Sequence, residues 1–175
     1  MRLFFAVDLT HPEALARLVG PGPEHFHVTL RFLGEMPPER RHELEAALEE
    51  VAGSVAAFSV ELMGLGAFPS RSSPRLLWVG FGQGGAELDR LAQRLQASLA
   101  LRGVPADPRP FQPHATVRRL RGAEAERWAR DRLSEGDGRP FGLGSIVELV
   151  LYESRLTANG AEHRRLAARP LSGAA

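Results

Sequence analysis

The sequence predicts one domain of mixed strands and helices assembled from two related halves, and three observations lead there. The chain has 175 residues, the size of a single core or of two small half-cores fused together. Apolar runs of strand length alternate with amphipathic stretches of helix length. The pentapeptide His27-Val28-Thr29-Leu30-Arg31 returns 87 residues later as His114-Ala115-Thr116-Val117-Arg118. That echo divides the chain into pseudo-repeats of about 1–87 and 88–175, each motif being followed by a helical stretch.

Residues 3–7 are a compact apolar run that predicts the first strand, and Pro12 suits the first turn of a short helix after it. Gly20-Pro21-Gly22-Pro23 is a turn. Residues 26–33 alternate apolar and polar side chains with β-branched content until Gly34, which predicts the second strand. Leu44, Ala47, Leu48 and Val51 recur at helical spacing over 38–51, and Gly53 closes that helix. Residues 58–65 and 75–81 read as two strands joined by a loop rich in Ser, Pro and Gly. Leu88, Leu91, Leu95 and Leu99 mark a second amphipathic helix over 86–101, ending before Gly103. The second motif lies on a strand over 113–120. A helix over 123–133, a strand over 145–152 and a last short strand over 162–168, followed by a tail, complete the expectation.

Composition removes several chemistries. With 43% apolar and 25% charged residues the chain buries a core as ordinary globular domains do. It contains no cysteine, so thiolate nucleophiles, disulfides, iron–sulfur clusters and cysteine zinc sites are excluded. All 22 basic residues are arginine. Without lysine there is no Schiff base, no Walker-type phosphate loop and no lysyl-nucleotide intermediate, so any joining of nucleic acid is independent of ATP. The apolar run at Met1 to Leu9 is interrupted by Arg2 and Asp8, is too short to span a bilayer and lacks the layout of a signal peptide. A cytoplasmic protein without membrane partner or cofactor, working as a monomer, is expected.

The net charge of +1 is unevenly shared. Residues 1–87 carry 7 arginines against 11 acids, and residues 88–175 carry 15 against 10. Arg109, Arg118, Arg119 and Arg121 fall in an acid-free run after Asp107, which points to an anionic partner for one surface.

On a strand, residues i, i+2 and i+4 share a face, so His27, Thr29 and Arg31 are expected to project together, as are His114, Thr116 and Arg118. Two such strands side by side would bring two imidazoles and two hydroxyls to one cavity. An imidazole near its ordinary pKa of about 6.5 serves as base or acid at neutral pH. A pair of them supplies both ends of an in-line displacement at phosphorus, with threonine hydroxyls on the non-bridging oxygens.

These residues resemble the two-histidine phosphoesterases, and within them the RNA 2′,3′-cyclic phosphodiesterases, also called 2′-5′ RNA ligases. The resemblance extends over Arg2-Leu3-Phe4-Phe5-Ala6-Val7-Asp8-Leu9, the run from His27 to Glu35, the Pro113-His114 junction, and Leu151-Tyr152-Glu153-Ser154-Arg155-Leu156 before Gly160. It implies a bilobal α+β fold in which two pseudo-symmetric antiparallel sheets line a central cleft with helices outside. It also implies metal-independent hydrolysis of the cyclic phosphate to a 2′-phosphomonoester, His27 being the proton donor, His114 the acceptor, and Thr29 and Thr116 the phosphate contacts. The family's spacing selects Arg119 as a further phosphate ligand, strict alternation selects Arg118 and, in the first motif, Arg31; a β-bulge would reconcile the two. The tryptophan expected between the first strand and His27 is missing from this chain.

Other readings compete. A lone His-x-Thr is ordinary strand sequence, and only its duplication raises it above that. His25, His27 and His114 could form a metal site, but no Asp or Glu lies on either motif strand, and three ligands leave the repeated threonines unexplained. His11, His42 and His163 are assigned to solvent. Phe32, Phe68, Trp78, Phe111 and Phe141 could stack a base, though aromatics on strands are more often core. The partner is then an RNA end or cyclic-phosphate nucleotide; the alternatives are a cyclic phosphodiesterase for a small nucleotide-derived metabolite and a non-catalytic RNA-binding module.

Overall fold

The computed structural model describes residues 1–9, 26–157 and 160–173. Among them the chain runs β1 (Arg2–Asp8), β2 (His27–Glu35), α1 (Arg41–Ser54), β3 (Phe58–Pro69), β4 (Pro74–Phe81), α2 (Gly85–Leu101), β5 (Ala115–Arg119), α3 (Gly122–Glu135), β6 (Pro140–Ile146), β7 (Glu148–Thr157) and β8 (Gly160–Pro170). The expected helix at Pro12, the turn at 20–23, and His11 and His25 lie outside the described residues.

The strands hydrogen-bond in the order β6-β3-β4-β5-β2-β1-β7-β8. Every pairing between these strands is antiparallel. The join in the middle is narrow: β2 and β5 share the single residue pair Val28 with Ala115. The sheet is therefore two four-stranded halves meeting along the two motif strands, and the α+β fold with antiparallel sheets is as the sequence resemblance implied.

Alternation sorts β1 between two apolar clusters. Leu3, Phe5 and Val7 join the large core, whereas Phe4 and Ala6 face the opposite side with Val150 and Tyr152. The helices close the first side: Leu44, Leu48 and Val51 from α1, Leu88, Leu91, Leu95 and Leu99 from α2, and Leu133 from α3 all enter that core. Burying each such side chain contributes about 1.5–3 kcal/mol, which is why the leucine spacing read from the sequence is sufficient to place the helices. An open cleft of about 1870 Å³ is lined by the motif strands and, at one edge, by Asp89, Gln93 and Gln96 of α2.

Two expectations need correction. The run over 145–152 is not one strand: β6 ends at Ile146, β7 begins at Glu148, and only Val147 separates them. β6 pairs with β3 and β7 with β1, in different halves of the sheet. A continuous apolar run carries no mark of such a change of partner, because both strands bury one face in the same core. The last element is no short strand on a tail. β8 is eleven residues long and pairs with β7 along its whole length, since β7 would otherwise present a row of unpaired backbone groups. The helix expected over 38–51 begins instead with a short 3-10 turn at Pro38–Arg40, a position where proline's missing N–H does no harm.

Candidate active site

β2 and β5 carry the two motifs into the cleft. They are antiparallel about Val28 and Ala115, so the register runs His27 toward Thr116 and Thr29 toward His114. Each imidazole thus neighbours the other motif's hydroxyl across the seam. His27, Thr29, His114 and Thr116 all line the one cleft.

Strict alternation fails after each threonine. Opposite β2, Ala6 pairs with Thr29 and Phe5 with Arg31, leaving Leu30 as an extra residue. Opposite β5, Trp78 pairs with Thr116 and Leu77 with Arg118, leaving Val117 extra. Leu30 and Val117 are both buried in the helix-side core. Each bulge keeps His and Thr on the cleft face and turns the next arginine to the level of a core residue. Arg31 and Arg118 still line the cleft with the histidines and threonines, but each is set opposite a core residue and has a further partner. Arg31 pairs with Asp107 at 3.2 Å and donates to the Pro105 carbonyl. Arg118 lies 4.7 Å over the Trp128 ring of α3. Arg119, opposite Leu76, is exposed on the cleft face, and Arg31 and Arg118 line the same cleft.

Each histidine rests on an aromatic pair. His27 lies 5.7 Å from the Phe4 ring and 6.1 Å from Tyr152. His114 lies 5.1 Å from Phe68, edge-on, and 5.9 Å from Trp78. Trp78 can lie flat across the sheet because its cross-strand partner is Gly66. A Cβ there would meet the indole at 2.1 Å, so a side chain and the ring cannot share the space.

The two imidazoles are held differently. Nδ1 of His114 is 2.7 Å from the Gln112 carbonyl. A carbonyl only accepts, so Nδ1 carries the proton and Nε2 of the neutral ring is left as a base. His27 is pushed down from 6.5 to about 4, first by burial among its neighbours and then by His163, Arg119 and His114. It is neutral in the free protein at pH 7, and an anion beside it would favour its charged form.

His163, assigned to solvent from the sequence, belongs to this cluster. Its ring packs edge-on against Phe4 at 4.8 Å and lies 5.2 Å from His27. Burial and then Arg119 lower its pKa. Sequence reasoning missed it because it sits on β8, opposite Ser154, and only pairing with β7 brings it across. Tyr152 and Asp8 were visible in the motifs but had no role. The Tyr152 hydroxyl donates to both Asp8 oxygens at 2.7 and 2.8 Å, and burial raises its pKa before that contact adds to the shift. Asp8 stands opposite His27 in the ladder, but its carboxylate is engaged by that hydroxyl and by Arg165 at 3.6 Å. His42 is exposed on α1 as expected. Among the described residues no three His, Asp or Glu side chains are grouped to hold a metal ion, and no helix is long and apolar enough to cross a membrane.

Two imidazoles, two hydroxyls and a cleft-facing arginine about one seam are suited to acid–base chemistry on a phosphate ester. The chain is similar to several known proteins. A protein of Aeropyrum pernix named RNA 2′,3′-cyclic phosphodiesterase is 34% identical, over 82% of this chain and 80% of its own. One of the same name from Archaeoglobus fulgidus is 32% identical, over 95% and 98%. A crystal structure from Thermus thermophilus superposes with a TM-score of 0.76 at 30% identity, covering 99% of both chains. Escherichia coli LigT complexed with 3′-AMP gives 0.70 at 26%, covering 98% of both. With the model of the 2′-5′ RNA ligase superfamily matching residues 21–155, and with both motifs of the cleft inside that span, the chain belongs to the 2′-5′ RNA ligase superfamily.

Proposed function

We propose that the chain hydrolyses 2′,3′-cyclic phosphodiester ends of RNA to 2′-phosphomonoesters. The observation that carries this is the seam between β2 and β5, where two His-Thr pairs open into one cleft and the His114 tautomer presents Nε2 as a base. In this reading Nε2 of His114 takes a proton from water as its oxygen bonds to phosphorus. The bond from phosphorus to O3′ breaks, and His27 delivers its proton to the departing O3′. Thr29, Thr116 and Arg119 hold the non-bridging oxygens. The negative substrate supplies what the free site lacks, because a phosphate beside His27 favours its cationic form.

With a 5′-hydroxyl attacking phosphorus in place of water, and O3′ again departing with the proton from His27, the same residues would join a cyclic end to that hydroxyl through a 2′-5′ linkage, without ATP. The donor set is two imidazoles, two hydroxyls and a guanidinium, and the proposed chemistry routes no step through a metal. The names of the relatives support RNA ends as substrate, and a monomeric cytoplasmic protein is the simplest setting for it. We read the two motifs as copies of one ancestral unit, residues 1–87 and 88–175; the identical bulge after each threonine supports that reading.

The experiment is incubation with cyclic-phosphate-ended RNA in the presence of chelator, followed by mapping of the product. A 2′-phosphate formed by the wild type and absent with His27→Ala or His114→Ala is expected. Equal turnover by either variant at matched circular dichroism would sink the assignment.

A further inference from the structure

Proton transfer at the seam uses two imidazoles, and the cleft holds a third. His163 is exposed on the cleft wall built by β7 and β8. Its place is fixed by packing. It stands opposite Ser154 in the ladder, its ring sits edge-on against Phe4 at 4.8 Å, and Phe4 is itself stacked on Tyr152 at 5.1 Å. That arrangement brings the ring to 5.2 Å from His27, across two intervening strands.

Three groups able to carry positive charge therefore converge: His27 from β2, Arg119 at the end of β5 and His163 from β8. Arg119 acts through its charge on both imidazoles, and His163 and His114 act on His27. The neighbouring titratable groups are engaged with one another. Tyr152 of β7 donates to Asp8 of β1 at 2.7 and 2.8 Å, and Arg165, two residues along β8, pairs with Glu148 at 2.6 Å and with Asp8 at 3.6 Å. Among the described residues Arg119 pairs with no carboxylate. Groups of like charge about an open space disfavour one another until an anion lies between them, and the anion then favours the charged form of each.

A phosphomonoester needs such a seat more than a cyclic ester does. The cyclic ester carries a single negative charge. Once His27 has given its proton to O3′ it is neutral, and the product phosphate sheds a further proton with a pKa of about 6. Negative charge thus rises on the side from which a cation has been lost, and His163 is the ionisable group beside it. We propose that His163 is a phosphate-binding residue of the cleft, holding with Arg119 the second charge of the 2′-phosphomonoester and so setting the preference of the site for that product over the cyclic diester; the proposal rests on the phosphodiesterase reading of the site.

The test is calorimetric titration of the whole chain with adenosine 2′-monophosphate at pH 7, beside the KM for adenosine 2′,3′-cyclic phosphate. His163→Phe, which keeps a ring on Phe4, is expected to weaken the monoester by roughly 10- to 150-fold and to raise the KM of the cyclic ester by much less. His163→Lys, a fixed cation, is expected to restore monoester binding. Imidazole NMR of the wild type is independent of how any variant folds, and there inorganic phosphate is expected to raise the titration midpoint of His163. Monoester affinity unmoved by His163→Phe at matched circular dichroism, equal weakening of both esters, a His163 titration indifferent to phosphate, or no monoester binding by the wild type overturns the seat. No cleavage of the cyclic ester by the wild type, with monoester binding still dependent on His163, removes the hydrolytic reading and leaves the seat standing. Cleavage with monoester affinity independent of His163 removes the seat and leaves hydrolysis standing.

Discussion

Charging His27 in the free protein is unfavourable, and the penalty is measurable as stability. Its folded pKa is about 4 against 6.5, so above pH 6.5 the ring is neutral in both folded and unfolded chains and contributes no pH dependence. As pH falls from 6.5 toward 4 the unfolded chain takes up a proton that the folded site refuses, and stability is lost. Below 4 both states are charged and the full loss persists. The depression corresponds to about 3 kcal/mol at its limit, most of it already present at pH 4.5. Carboxylates also lose stability in acid, so the perturbation is His27→Gln, which removes this titration and keeps the rest. Urea unfolding of both proteins at pH 7 and pH 4.5 gives the double difference. The wild type is expected to lose about 2–3 kcal/mol more than the variant between these conditions. Equal acid losses, or an imidazole NMR titration of His27 centred near 6.5, would refute the argument that burial and the cations around His27 exclude a further charge. His163→Phe tests the second cause: it keeps the packing on Phe4 and removes a basic group, so the His27 titration should move upward.

The same depression bears on turnover. One limb of the kcat/KM profile is expected near pH 4, because that profile reports the free enzyme, and the matching limb of kcat should lie at higher pH once substrate phosphate favours the charged ring; coincident limbs would count against it. Arg119→Gln should lower kcat/KM by roughly 10- to 150-fold through loss of a charge-assisted contact, whereas Arg118→Gln should cost about 0.5–1 kcal/mol of stability through its Trp128 contact and spare activity. Steady-state kinetics and thermal melts showing the reverse pattern would mean that the bulge at Val117 has been misread. Gly66→Val forces a side chain into the Trp78 ring, so a destabilisation of about 1–3 kcal/mol with altered tryptophan fluorescence and a fall in kcat is expected; unchanged fluorescence and turnover would show that the indole lies elsewhere.

Local pattern was enough to read the family and fold class of this protein. Leu88, Leu91, Leu95 and Leu99 announce α2 because a helix must bury one stripe. The repeated His-x-Thr names both catalytic candidates because strand period two puts them on one face. The absence of cysteine and lysine removes whole mechanisms without any coordinates. What the sequence could not decide depends on which strand lies beside which. A bulge is a property of a pair of strands: Leu30 and Val117 become extra only against Phe5–Ala6 and Leu77–Trp78, and that count sets Arg31 and Arg118 opposite the core residues Phe5 and Leu77. His163 is 136 residues from His27 in the chain, and the pairing of β8 on β7 and β7 on β1 brings their rings to 5.2 Å. Burial, and hence the low pKa of His27, likewise comes from rings supplied by β1, β7 and β8. Side-chain identity is written locally, but register, neighbours and desolvation arise from contacts distant in sequence, and these set where the charge and the proton lie.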